Sequence, residues 1–313
     1  MDPVPEPRRL HLLEPRTRTL KESLLFIVGN PLSHTLSPAM HNGVIARRKL
    51  PLRYVAVELS PAALPGFLRV VRSANFLGGN VTIPFKEEAA ALADERSDAV
   101  RFCGAANLLR VRNGRILAGN TDGPGFLDAL AEQGWGRRFR RVLLLGAGGS
   151  ARGIAYSLAR AGTREMAILN RNPLRADRVA ETLSSVFPRM KLSTGGLSRR
   201  SILREFPETD LVVQATSLGM RREWSIFPVE GVKAETKVAD IVYRRGGTAL
   251  VRALRRRGVP AVDGLPMLAC QAARSFAAWT GKRIGAAEFL AFARGAISAR
   301  GGGLALDRDP GEL

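Results

Sequence analysis

Residues 146–149 read Gly146-Ala147-Gly148-Gly149 and lead into Ser150-Ala151-Arg152-Gly153, directly behind the apolar run Val142–Leu145. A strand, a glycine turn and a helix in that order can hold the pyrophosphate of a dinucleotide. Gly146 permits the tight turn. Gly148 lets the backbone approach the phosphates, and Ala151 at the third small position allows close helix packing. The phosphates then lie on the free N–H groups of the helix start. About 20 residues further on, an NAD site places a carboxylate for the ribose 2′-hydroxyl. Here the next apolar run ends Asn170-Arg171-Asn172, with Arg175 shortly after and no carboxylate at that place. A guanidinium grips a phosphate bidentately, whereas a carboxylate repels it. The cofactor expected from these residues is NADP rather than NAD.

The first half of the chain carries polar clusters where its apolar runs end. They are Ser33-His34-Thr35-Leu36-Ser37-Pro38, Asn80-Val81-Thr82-Ile83-Pro84-Phe85-Lys86-Glu87, Ala105-Ala106-Asn107, and Asn120-Thr121-Asp122-Gly123. Hydroxyls, amides, one lysine and one aspartate are the groups that surround a polyhydroxylated ligand. Singly, each cluster also reads as a cap or a turn.

These groups need elements to hold them. Leu24–Val28 reads as a buried strand that ends in Gly29-Asn30-Pro31. Ser37-Pro38 and Ser60-Pro61 each suggest an N-cap followed by proline at the first helical position, and Pro84 suggests a third helix start. Tyr54–Leu59 and Gly79–Ile83 read as strands, so β and α alternate and a mainly parallel sheet is expected. Asn113-Gly114, between Asn107–Val111 and Arg115–Ala118, predicts a hairpin, and a helix to about Gln133 follows. Beyond Gly134–Arg141 a second βα array begins. Its strands are Val142–Leu145, Met166–Leu169, Asp210–Val213, Val238–Val242 and Pro260–Val262, and a final long helix Leu265–Thr280 ends at Gly281.

At 313 residues and 45% hydrophobic content, the chain can fill two cores. No apolar run approaches the ~20 residues of a membrane helix. Residues 1–22, with Pro3, Pro5, Pro7 and Pro15, read as a poorly ordered extension without export-signal character, so a cytoplasmic location is expected. Cys103 and Cys270 are isolated, and His11, His34 and His41 do not cluster with them or with carboxylates; no catalytic metal is expected. The net charge of +20 is almost all arginine and is spread along the chain. It lacks the aromatic interleaving that stacks bases, so neither nucleic acid nor membrane is the expected partner. The field suits anionic small molecules.

Taken together and in order, over about residues 24–295, these motifs resemble the shikimate dehydrogenase family. The resemblance implies an α/β fold of two domains with the active site in the cleft between them. The substrate domain is discontinuous, with a mainly parallel sheet, over 23–122 and 264–297. A Rossmann-type, doubly wound NADP-binding domain is inserted over 123–263, and a tail runs from 298 to 313. It further implies reversible, NADPH-dependent reduction of 3-dehydroshikimate to shikimate, on the way to aromatic amino acids. Lys86 and Asp122 match the catalytic pair. Thr35 and Ser37 match the positions that bind the substrate carboxylate. Thr82, Asn107 and Gln271 match those that bind ring hydroxyls, and Tyr243 matches a substrate-contacting tyrosine. Gly146 to Ala151, Asn170, Arg171, Arg175, Thr216, Ser217, Gly264 and Met267 match the cofactor site. Gln214 replaces an asparagine of the family's cofactor loop, Leu108 a threonine near the ring, and Pro266 a glycine beside the nicotinamide; a proline usual after the tyrosine is absent. Leu108 and Pro266 leave room for a quinate or aminoshikimate dehydrogenase on the same fold; a non-catalytic ligand sensor is a further alternative, against which the presence of both Lys86 and Asp122 counts. A monomer or homodimer is expected.

Overall fold

Apolar runs bounded by glycine and proline become central strands here, because a strand covered on both faces has no side chain to show to water. The computed structural model describes residues 22–218 and 227–299. Nearly all of the N-terminal extension and C-terminal tail expected above lies outside the described residues. The first half runs β1 (Ser23–Gly29), α1 (Ser37–Arg47), β2 (Leu52–Glu58), α2 (Leu64–Ser73), β3 (Phe76–Val81), α3 (Lys86–Leu92), β4 (Glu95–Arg96), α4 (Asp98–Cys103), β5 (Leu108–Arg112), β6 (Arg115–Gly119) and α5 (Asp122–Glu132). The second runs β7 (Arg141–Leu145), α6 (Gly149–Arg160), β8 (Glu165–Asn170), α7 (Pro173–Val186), β9 (Lys191–Gly196), α8 (Arg199–Glu205), β10 (Leu211–Gln214), β11 (Lys237–Asp240), α9 (Ala249–Arg256) and β12 (Ala261–Val262). Helices α10 (Leu265–Thr280) and α11 (Ala286–Ala299) follow.

The strands form two sheets, ordered β2-β1-β3-β5-β6-β4 and β12-β11-β10-β7-β8-β9. In the first, β1 lies parallel to both β2 and β3, and the predicted hairpin β5–β6 joins β3 antiparallel through β5. The second is parallel throughout and reverses its winding between β7 and β10. That reversal leaves a crevice at the carboxyl ends of β7 and β10, where doubly wound sheets bind ligands. No helix among the described residues is long and apolar enough to cross a membrane.

One face of the first sheet is covered from the far end of the chain. Leu25, Ile27, Met40 and Tyr54 share an apolar cluster with Phe276 and Trp279 of α10 and Phe289 of α11. His41 is fully buried in that cluster, stacked on Tyr54 at 4.3 Å between ring centroids, and neither of its nitrogens has a hydrogen-bond partner. Burial lowers its imidazole to about 3, so it is neutral in the fold.

Several boundaries differ from the sequence reading. Neither Ser37 nor Ser60 caps a helix through its side chain: α1 already includes Ser37, and Pro61 opens a short 3-10 turn ahead of α2. The helix expected at Pro84 starts at Lys86. The strand expected to Val242 stops at Asp240, whose carboxylate accepts the Val242 N–H in a turn. Helix α10 is not the last: α11 packs behind it.

Candidate active site

In the first sheet the carboxyl ends of β1, β3 and β6 and the amino end of β5 share one edge, because β5 runs against its two neighbours. Every polar cluster of the first half hangs from that edge. Lys86 opens α3 after β3, and Asp122 opens α5 after β6. Asn107 directly precedes β5. The Lys86 ammonium donates to Asp122 Oδ2 at 2.5 Å, with the two side chains 13% and 8% exposed. Asn107 Nδ2 donates to the other carboxylate oxygen at 2.7 Å. Both Asp122 oxygens are thus engaged, which holds the carboxylate at a fixed angle to the lysine.

Behind the pair lies a buried polar network. Thr121 Oγ1 lies 3.1 Å from Ser275 Oγ, and Asn107 Oδ1 accepts from the Thr121 N–H at 2.7 Å. Asn80 Nδ2 donates to Ser275 Oγ at 3.1 Å, and Asn80 Oδ1 accepts from the Tyr54 hydroxyl at 2.8 Å. Burial raises the Tyr54 hydroxyl well above its ordinary range, while a hydrogen bond with Ser37 lowers it. Gln271, one turn before Ser275 on α10, reaches Asn107 and Thr121 with Oε1, each at 3.5 Å. Ser37 is buried, and its N–H donates to Thr35 Oγ1 at 3.3 Å. Thr82 is half-buried at the end of β3, its methyl against Gly29. Tyr243 packs against the apolar cluster of the first sheet although it follows β11 of the other sheet. Asn80 and Thr121 stood in the polar clusters read from sequence but were given no role there, and Ser275 was not singled out; a serine four residues after Gln271 on one helix face was the signal for it.

The second sheet brings its own carboxyl edge to the same place. Gly146 takes φ +114°, and a Cβ there would lie 2.7 Å from the Ala215 carbonyl oxygen, so glycine is required. Gly148 precedes α6, whose first turn holds no acidic residue, and a Cβ at Gly148 would meet nothing within 4 Å. Ala151 is fully buried, as the close packing of the turn demands, and Ala147 is nearly so. Asn170 ends β8; Arg171 beside it and Arg175 in the first turn of α7 are both exposed. Gly264 approaches Ile241 so closely that a Cβ would sit 2.0 Å from its carbonyl oxygen. Met267 is mostly buried, in the cluster that also holds Ala147 and Cys270. These features fit a dinucleotide with a phosphate on its adenosine ribose: donors for the pyrophosphate, no carboxylate at the ribose, and cations beside it.

Gln214 shapes the loop beyond β10. Its Oε1 accepts from the Thr216 N–H at 2.6 Å and from the Thr216 hydroxyl at 2.8 Å, while Nε2 donates to Leu218 O at 2.9 Å. The same Nε2 reaches Asp240 Oδ1 at 3.3 Å. Burial pushes the Asp240 carboxyl up to about 6, against hydrogen bonds from the Val242 N–H and the Thr248 hydroxyl. The longer glutamine side chain therefore still closes the turn that presents Thr216 and Ser217.

Two departures from the family pattern have physical readings. Leu108 is almost fully buried in the apolar cluster with Tyr54 and Phe276, so its side chain serves the core rather than the ring site. Pro266 is the second residue of α10, where a helix N–H has no intrahelical acceptor to lose.

Residue for residue, parts of the chain match two family models: residues 27–109 the shikimate dehydrogenase substrate binding domain, and residues 129–219 shikimate / quinate 5-dehydrogenase. The chain is 41% identical over 264 residues to a shikimate dehydrogenase (NADP(+)) of Methylobacterium radiotolerans, covering 82% of this chain and 91% of that protein. It is 42% identical over 263 residues to the protein of that name from Rubrobacter xylanophilus, covering 83% and 91%. Among solved structures, shikimate 5-dehydrogenase from Thermus thermophilus in complex with NADP(H) and shikimate superposes with a TM-score of 0.78 at 35% identity, over 88% of this chain and all of that one.

Proposed function

This chain belongs to the shikimate dehydrogenase family, and on that premise we propose that it is an NADP-dependent oxidoreductase that interconverts 3-dehydroshikimate and shikimate in aromatic amino acid biosynthesis. The observation that carries the reading is the Lys86–Asp122 ion pair, buried at the edge of one sheet and facing the glycine loop of the other. Bound NADPH supplies the hydride that reduces the ring ketone. As that hydride arrives at carbon, negative charge gathers on the carbonyl oxygen. The Lys86 ammonium stabilises the charge and gives one proton to the oxygen, which stays on the ring carbon as the hydroxyl of shikimate. Asp122 holds the ammonium in place and accepts a hydrogen bond from the neighbouring ring hydroxyl. Asn107 fixes the angle of that carboxylate through its Nδ2.

The remaining contacts are assigned by position. Thr35 and Ser37 hold the substrate carboxylate. Thr82, Asn107, Gln271 and Tyr243 contact the ring. Gly146 to Ala151, Thr216 and Ser217 cradle the dinucleotide, with Gly264 and Met267 at its nicotinamide end and Asn170, Arg171 and Arg175 at its phosphorylated ribose. We assign residues 23–122 and 264–297 to the substrate domain and 123–263 to the NADP domain. The enzyme works in the cytoplasm as a monomer or homodimer, without a nucleic-acid or membrane partner.

The test is absorbance at the NADPH band with purified protein, given shikimate or quinate, each with NADP⁺ and with NAD⁺. Reduction that is fast only with shikimate and NADP⁺ supports the whole reading. Faster reduction with quinate moves the protein to the sister activity, and no reduction with any pair overturns it.

A further inference from the structure

We propose that Ser150 is a positioning residue for the Lys86–Asp122 pair, a role that rests on the reaction proposed above. Ser150 belongs to the glycine loop, one residue into α6, and by motif alone it is a phosphate contact. Its hydroxyl is committed elsewhere. It donates its proton to Asp122 Oδ2 at 2.9 Å and accepts from Lys86 Nζ at 2.9 Å. A serine hydroxyl has a single proton, so none remains for an anion; only the Ser150 backbone N–H can face a pyrophosphate.

The arrangement also counts the lysine's donors. An ammonium has three N–H groups. One goes to Asp122 and one to Ser150, both on the protein side. The third is left for the cleft, with its direction fixed by the other two. A lysine held by a single carboxylate can rotate about its terminal bond, and its proton then spends much of its time away from the reacting oxygen.

The triangle spans the two sheets, and it is flanked by further contacts between them. Gly149 packs on Lys86: a Cβ there would lie 3.4 Å from Lys86 Cδ and 3.2 Å from the Ala105 methyl. Arg152, one residue beyond Ala151 on α6, pairs with Glu87, the neighbour of Lys86 on α3. The loop that receives the cofactor therefore also sets the acid, so the proton donor is fully oriented only when the nucleotide-binding edge is in place.

The experiment compares wild type, Ser150→Ala and Ser150→Thr in the full chain. NADPH affinity is taken from fluorescence titration, turnover from shikimate with NADP⁺, and solvent deuterium effects from kcat. Hydrogen bonds to charged groups are worth enough that Ser150→Ala should lower kcat by about 10- to 100-fold, with the NADPH Kd within about twofold of wild type. Its solvent deuterium effect should rise, because proton transfer between Lys86 and the substrate oxygen becomes slower, and Ser150→Thr, which keeps the hydroxyl, should restore most of kcat. A variant that loses NADPH affinity at unchanged kcat makes Ser150 a phosphate contact and overturns the proposal. So does an alanine variant with wild-type turnover, or a threonine variant that rescues nothing. A wild type that binds NADPH but leaves shikimate untouched overturns the reaction itself, and the positioning role with it.

Discussion

Lys86 Nζ lies 2.5 Å from Asp122 Oδ2 across 36 residues of chain, and each residue is the first of its helix, α3 and α5. The pairing needs β3 and β6 to end at one edge, which the antiparallel β5 between them provides. Neither side chain is on a flexible loop, so the geometry is inherited from the sheet.

Replacing Lys86 with alanine removes the proposed acid and leaves the substrate contacts in place. The variant should keep a shikimate KM near that of the wild type and lose about 10²–10⁴-fold in kcat. Steady-state assays at saturating NADP⁺ read both parameters. Turnover at the wild-type rate would remove Lys86 from the chemistry.

Arg171 and Arg175 are exposed and follow a strand that ends without a carboxylate. An Arg171→Ala, Arg175→Ala double variant should lose about 10- to 100-fold in kcat/KM with NADP⁺ while changing little with NAD⁺. The ratio of the two values is the readout. A ratio that stays fixed would place the 2′-phosphate elsewhere.

Asp240 ties Gln214 to Thr248, and burial raises its carboxyl to about 6. Its folded value stands above the unfolded value, so ionisation costs more in the folded protein than in the unfolded chain. The stability it contributes is present at low pH and is lost as pH rises from about 4 through about 6, on the order of 3 kcal/mol. Asp240→Asn keeps the acceptor oxygen and cannot ionise. Its stability relative to wild type should rise across that window, as read by chemical denaturation at pH 4.5 and pH 7.5. A constant difference between the two proteins would show that Asp240 carries no such linkage.

His41 acts in the opposite sense. Its imidazole is lowered to about 3 by burial alone, and no partner stabilises its charged form. Below pH 6.5 the unfolded chain takes up a proton that the folded one refuses, so stability falls as the solution is acidified toward 3. His41→Leu should lose less stability than wild type between pH 7.5 and pH 5, by about 2 kcal/mol. Equal losses in both proteins would mean that His41 finds a proton or a partner in the fold.

The two-domain α/β fold was readable because its central strands are uninterrupted apolar runs, such as Val142–Leu145, and its turns carry glycine or Asn-Gly. What escaped the reading was short or half-exposed. Helix α4 spans Asp98–Cys103, too short for a helical period to show. Strand β9 lies at a sheet edge, where Lys191, Ser193 and Gly196 face solvent and leave little apolar signal. Within the site, Lys86, Asp122 and Asn107 stood in recognisable motifs and Gln271 followed from the family resemblance, and the fold brings the four together. The hydroxyl of Ser150 could not be placed from sequence, because a loop motif names a position on the backbone and does not say which way a side chain turns. Gln214, read only as a replacement for the family's asparagine, likewise shows its bonding only in the fold. Its Oε1 accepts from both the N–H and the hydroxyl of Thr216.

The cover that α10 and α11 lay over the first sheet has a consequence for synthesis on the ribosome. Leu25, Ile27 and Tyr54 emerge well before the second sheet, yet Phe276, Trp279 and Phe289, which complete their core, emerge after it. The second sheet's face against α8 and α9 draws its buried residues only from Leu143 to Ala261. The inserted unit can therefore settle that face while the outer one still waits with bare apolar strands. A nascent chain of this shape exposes its earliest segment for longest, and that segment is where chaperone capture or misassembly is concentrated.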